Sequence, residues 1–91
     1  MKRRVVVTGI GIVSPLGIGI EENWSAVCNG KSGIGPITRF DVESFPVKFA
    51  GEVKGFEPEH FMGHKEIKKM DRFIHFAVAA GQSALDDSGF K

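Results

Sequence analysis

The single cysteine, Cys28, is the first candidate for catalysis, because a thiolate is a strong nucleophile. Apolar residues at positions 24, 27 and 28 predict an amphipathic helix over about 21–29, which Gly30 would cap at its C-terminus. Cys28 therefore falls near a helix C-terminus, whereas a reactive thiolate is stabilised at a helix N-terminus. We predict that Cys28 packs in the core beside Trp24. A lone cysteine also excludes an internal disulfide and favours a reducing compartment.

The three histidines, His60, His64 and His75, are the candidate metal ligands. His60 and His64 are four residues apart and could share a helix face, but Phe61 occupies the position where the zinc-protease motif requires Glu. Only His75 remains as a third nitrogen ligand, and no cysteine cluster has metal-binding spacing. We interpret the histidines as surface or half-buried residues and predict no metal site.

Glycines at positions 9 and 11 follow a run of β-branched residues, as they do in dinucleotide-binding folds. The match fails because Ser14 replaces the third glycine, Pro15 follows it, and no acidic residue ends a second buried strand about 20 residues later. We predict instead a buried strand over 5–13, covered on both faces, with another element packed closely against Gly9 and Gly11. A nucleotide-binding enzyme is the weakest alternative, and a cofactor titration would test it.

A basic stretch lies at residues 64–72, which contain four basic and two acidic side chains. On one continuous helix, Lys65, Lys68, Lys69 and Arg72 would share a face at about 0°, 300°, 40° and 340°, opposite the apolar residues. If Asp71 is an N-cap, the stretch splits into helices over about 65–70 and 72–88, and only the three lysines stay aligned. The pattern alone favours a solvated face; the alternative is a docking surface for an acidic, helical protein.

The remaining pattern supplies the elements that hold these residues. Residues 30–46 are rich in glycine and proline and predict a long connection. We expect it to pack against the rest of the domain through Ile34, Ile37 and Phe40. Residues 47–53 alternate in polarity and predict a half-exposed strand, and Gly89 is placed to cap the last helix.

Composition narrows the class of protein. The 91 residues are 42% hydrophobic and 25% charged, which fits one small globular domain and argues against disorder. A net charge of +1 argues against a nucleic-acid-binding protein. No apolar run is long enough to cross a membrane, and the basic N-terminus lacks the features of a signal peptide. We therefore expect a cytoplasmic protein.

Several segments match one known pattern, in order along the chain: Arg3 to Gly11, Ser14 to Gly17, Lys31 to Ile34, Phe49 to Gly51 and Lys65 to Phe73. Together they closely resemble the N-terminal end of the β-ketoacyl-[acyl-carrier-protein] synthases, most closely the bacterial elongating synthase II. The resemblance runs through essentially all 91 residues. It implies an α/β class and a thiolase fold, in which mixed five-stranded sheets are layered between helices. Residues 1–91 would be the N-terminal portion of the first thiolase-like half, with no complete second domain.

The same resemblance implies the chemistry of decarboxylative Claisen condensation between an acyl thioester and malonyl-carrier protein. In the family, the catalytic cysteine and two histidines come from segments beyond residue 91, so we expect this chain alone to hold no catalytic residue, cofactor or metal and to be inactive. Lys65, Lys68 and Lys69 match the basic positions that contact acyl carrier protein in synthase II relatives, which favours the docking interpretation. A homodimer is implied for the full-length enzyme, with no nucleic acid or membrane partner.

A second hypothesis treats the 91 residues as a stand-alone, non-catalytic module that binds an acidic protein. Stability favours the hypothesis that the chain is the N-terminal segment of a synthase. A buried strand over 5–13 needs neighbours on both edges, and the sequence offers only one other convincing strand. We therefore expect the chain to depend on further segments for its stability.

Overall fold

The computed structural model describes residues 2–90, which form two compact units. One unit contains the N-terminal segment through Ile12 and the chain from Glu57 onward; the other runs from Val13 to Phe56. The strands are short and form two antiparallel pairs, and the elements in chain order are β1 (Val13–Ser14), β2 (Gly17–Ile18), α1 (Ile20–Cys28), β3 (Ile34–Pro36), β4 (Phe49–Gly51), a 3-10 turn (Pro58–His60), α2 (His64–Lys69) and α3 (Arg72–Ser88).

The hairpin of β1 and β2 is joined to α1 through Asn23, a buried side chain on the helix. Its amide nitrogen donates hydrogen bonds to the carbonyl oxygens of Gly17, at 3.0 Å, and Gly19, at 2.7 Å. The Ser14 hydroxyl donates to the Asn23 amide oxygen. Since buried polar groups are costly when unpaired, this network fixes the hairpin against the first turns of α1.

The second pair aligns Gly35 of β3 with Ala50 of β4. The strand predicted over 47–53 is confirmed only at its centre, Phe49–Gly51. The prediction of an irregular connection over 30–46 is wrong at Ile34–Pro36, which forms a strand. Glycine and proline are typical of loops, so the local sequence did not indicate a strand that forms by pairing with β4. Two of the residues expected to pin this connection are exposed, Ile34 at 59% and Phe40 at 60%.

Glu52 fixes the chain that follows β3 to the chain that follows β4. Its carboxylate accepts hydrogen bonds from the Thr38 hydroxyl at 2.8 Å and from the backbone N–H groups of Thr38 and Arg39. The Thr38 hydroxyl above all, then its N–H and that of Arg39, hold the pKa of Glu52 below its ordinary value.

We expect protonation of Glu52 to loosen this connection at acidic pH. Because the folded-state pKa is lowered, the stabilisation is complete above the unfolded pKa and is lost as pH falls through the folded pKa. Urea unfolding of the intact protein between about pH 7 and about pH 3 should therefore show a smaller loss of stability in Glu52→Gln than in the parent protein. Parallel losses in the two proteins would contradict this role.

The predicted buried strand over 5–13 is wrong: residues 2–12 form no strand, and only Val13 enters a ladder. Val5 is 91% exposed and Val7 79%. A strand exists only where a neighbour completes its hydrogen bonds, and the described strands pair with one another instead. The run of β-branched residues indicates a preference for extended backbone, but it does not identify a neighbouring strand that would complete the hydrogen bonds.

The close packing predicted at Gly9 and Gly11 is confirmed, and the element packed there is α3. A Cβ atom on Gly11 would collide with the carbonyl oxygen of Ala80, and one on Gly9 with that of Ala84. Between the two glycines, the N–H of Ile10 donates to Asp87 on the last turn of α3 at 3.0 Å. The segment therefore lies directly on the helix backbone.

The prediction that the apolar face of α1 is buried is wrong. Trp24 is 67% exposed and Val27 55%, whereas Asn23 and Ala26 are the buried residues of the helix. Across residues 2–90, the buried apolar side chains are few: Ala26, Phe56 and Ala79. The apolar pattern of α1 identifies a face that prefers burial, but the described residues do not cover it.

Asp71 divides the C-terminal region into two helices, as the alternative reading of the sequence predicted. α2 ends at Lys69, and α3 begins at Arg72 with Asp71 at its N-cap position. The Asp71 side chain makes no capping hydrogen bond; its carbonyl oxygen accepts from Ile74 and His75. The predicted C-terminal cap is confirmed, since Gly89 adopts the left-handed conformation with φ of 71°.

Candidate protein-docking surface

A cluster of three like charges lies on α2. Lys65, Lys68 and Lys69 are all exposed, so their ammonium groups face solvent. Their spacing of three and four residues places them on one side of this six-residue helix. The chain therefore presents three cations on a surface about one helical turn long, suited to attract an acidic partner.

Arg72 does not join this surface. The break between α2 and α3 ends the continuous helix that would have aligned it with the lysines. Its guanidinium carbon lies 5.0 Å from the centroid of the Phe76 ring, a cation–π contact within α3. The conditional prediction that Arg72 drops out when Asp71 splits the helix is thus confirmed.

His75 connects α3 to the lysine helix. Its Nε2 atom lies 3.0 Å from the carbonyl oxygen of Ile67, and its side chain is buried, with 9% exposure of the residue. Ile67 lies between Lys65 and Lys68 in the chain. The prediction that His75 is a surface or half-buried residue is therefore wrong, and the sequence did not reveal the contact because a hydrogen bond between two helices leaves no local motif.

An apolar groove of about 300 Å³ borders the lysines at Lys69. Met70 and Val78 supply its apolar walls, and Glu66 lies at its edge. The groove joins α2 to the second turn of α3, next to the cationic surface.

Of the other residues singled out for chemistry, Cys28 belongs to α1 and His60 to the 3-10 turn. Cys28 is exposed at the end of α1, so its predicted core packing is wrong, whereas its position at a helix C-terminus is confirmed. His60 lies 3.1 Å from the Glu57 carboxylate on the surface. Within residues 2–90, no group of three His, Cys, Asp or Glu side chains could hold a metal ion. No helix among these residues is both long and apolar enough to cross a membrane.

Comparison with known proteins identifies the family. The family model described as "Beta-ketoacyl synthase, N-terminal domain" matches residues 2–91. A 3-oxoacyl-[acyl-carrier-protein] synthase 2 from Vibrio cholerae is 51% identical over 90 residues, and one from Synechocystis is 49% identical over 87. The matches cover 99% and 96% of this chain but 22% and 21% of those proteins. The chain belongs to the β-ketoacyl synthase family and spans about a fifth of the length of these relatives.

A solved structure confirms the fold class. The ishigamide ketosynthase/chain length factor superimposes with a TM-score of 0.90 at 44% identity, over 100% of this chain and 23% of that one. The described elements are therefore part of an α/β, thiolase-like ketosynthase fold that this chain does not complete.

Proposed function

We propose that the intact protein is a fatty-acid-elongating 3-oxoacyl-[acyl-carrier-protein] synthase. The observation that carries the proposal is the identity of about half of all residues, across nearly the whole chain, to synthases of that name. Since the chain spans about a fifth of those proteins, the activity is a property of a longer polypeptide.

The proposed reaction is a decarboxylative Claisen condensation. An acyl group first moves from its carrier protein to an enzyme cysteine, forming a thioester. Malonyl-carrier protein then loses carbon dioxide, and the resulting carbanion attacks the thioester carbonyl, forming a carbon–carbon bond while the cysteine sulfur leaves as a thiolate. The product is a 3-oxoacyl chain two carbons longer, attached to the carrier protein that delivered the malonyl group.

This chemistry requires a thiolate near a helix N-terminus and backbone amides that hold the developing oxyanion. Cys28 does not fit, because it is the last residue of α1. We therefore assign the nucleophile and the two histidines that assist decarboxylation to segments outside these 91 residues. Residues 1–91 contribute the N-terminal portion of the first thiolase-like half.

The function we assign to this chain is part of the docking surface for acyl carrier protein. The exposure of Lys65, Lys68 and Lys69 on one side of α2 supports it, because cations steer and orient an acidic partner more than they add affinity. Both acyl-loaded and malonyl-loaded carriers would use this surface. We further propose that the intact enzyme is a cytoplasmic homodimer and needs no cofactor.

The assignment is tested by supplying the intact protein with acyl-carrier protein and malonyl-carrier protein. We expect release of carbon dioxide together with a 3-oxoacyl product two carbons longer, and no product from the 91-residue chain alone. An intact protein that binds the carrier but never condenses would reject the synthase assignment and favour a non-catalytic module that binds an acidic protein.

A further inference from the structure

We propose that His75 is a positioning residue that holds the lysine helix α2 in the orientation required for docking. The role in docking rests on the proposed function, whereas the contact between His75 and α2 does not, and it lies within one compact unit of the chain. The proposal is carried by the position of a buried imidazole on α3 beside the carbonyl oxygen of Ile67, in the last turn of α2.

α2 needs external support. It has six residues, and helices of that length are unstable in water without tertiary contacts. Its N-cap, Gly63, has no side chain to satisfy the first N–H groups. The position of the lysines therefore depends on the groups that anchor this short helix.

The last carbonyl groups of a helix have no partner within it, and Ile67 supplies one of them. Met70 N–H approaches that oxygen at 3.5 Å, beyond the usual range for a hydrogen bond. His75 Nε2 lies at 3.0 Å, which is an ordinary hydrogen-bond distance. The imidazole is thus the better-placed donor at this end of α2.

The hydrogen bond also determines which nitrogen of the His75 ring carries the hydrogen. A carbonyl oxygen can only accept, so Nε2 must carry the hydrogen. With 9% exposure, the ring has little access to water that could replace the contact. Loss of the donor would leave the carbonyl of Ile67 without a close partner and free α2 to shift or fray, while Lys65, Lys68 and Lys69 kept their charges.

The test compares His75→Met, which is apolar and of similar size, with His75→Gln, whose amide can still donate. In the intact protein we expect His75→Met to raise the Kd for acyl carrier protein about tenfold at low salt and to speed hydrogen exchange across residues 64–69 by a similar factor, with 76–88 unchanged. His75→Gln should stay within about twofold of the parent protein in both measurements.

Nitrogen NMR of histidine-labelled parent protein at about pH 8, where an ordinary imidazole is neutral, gives an independent check that needs no variant. We expect the hydrogen of His75 on Nε2. A hydrogen on Nδ1, or equal losses in His75→Met and His75→Gln, would overturn the proposal, because the hydrogen bond would then not be the cause. Unchanged exchange in His75→Met would do the same.

A failure of the docking function is recognised separately. If charge reversal of the three lysines leaves carrier binding unchanged, the docking proposal is rejected. Faster exchange of 64–69 in His75→Met, restored in His75→Gln, would still support the role of His75 in positioning α2.

Discussion

Replacing Lys65, Lys68 and Lys69 together by Glu is expected to weaken binding of acyl carrier protein by the intact protein roughly 100-fold at low salt. The substitution replaces three positive charges by three negative ones on one side of α2, where all three side chains are exposed, so an acidic partner would be repelled there. At about 10 mM salt the Debye length is about 30 Å, so the effect should be near its maximum.

The salt dependence is part of this prediction. At about 150 mM salt the Debye length falls to about 8 Å, and the difference between the variant and the parent protein should shrink. Kd values from titrations across this range measure the difference. Loss of electrostatic steering should also lower the association rate, which a simple loss of packing would change less.

A matched control reverses three exposed lysines elsewhere, Lys2, Lys31 and Lys48. It changes the net charge by the same amount but leaves α2 intact, so we expect its Kd to stay within a few-fold of the parent value. Equal weakening in both triple variants would show that total charge, and not the α2 surface, attracts the carrier. Binding that survives reversal of the α2 lysines at low salt would reject the docking assignment.

Gly11→Ala is expected to destabilise the protein by about 3 kcal/mol, at the upper end of the range for overpacking. The new methyl group would overlap the carbonyl oxygen of Ala80 and lie 2.7 Å from the backbone nitrogen of Ala84. Both neighbours are backbone atoms of α3, so neither can move without displacing the helix. Urea unfolding of the intact protein measures the loss.

Gly81→Ala is the matched control on the same helix. Within the described chain, no atom outside its own stretch of helix lies within 4 Å of a Cβ at this position, and alanine favours helix over glycine by up to about 1 kcal/mol. We expect no loss of stability in this variant. A Gly11→Ala protein as stable as the parent would mean that the N-terminal segment does not lie on α3.

The C-terminal helices could be predicted well because their signals are local. Asp71 and Gly89 mark the two ends of α3, although the Asp71 side chain makes no capping hydrogen bond. The alignment of the three lysines followed from helical spacing alone. Their role in docking came from the resemblance to a family and is still a prediction.

The failures share a different cause. The β-branched residues before Gly9 predicted a buried strand, yet Val5 to Val7 are exposed, because strand formation depends on residues distant in sequence or outside the chain. Trp24 was expected to pack inward, but an amphipathic pattern identifies an apolar face without identifying what covers it. The contact of His75 with Ile67 joins two helices and was equally invisible to local patterns.

The exposed run of Val5, Val6 and Val7 has a kinetic consequence during protein synthesis. In a polypeptide of the relatives' length, these residues leave the ribosome while more than three-quarters of the chain is still to be made. At about 5–20 residues per second, that interval lasts tens of seconds. Throughout it, an exposed apolar run is a target for chaperones and for the same segment of a neighbouring nascent chain.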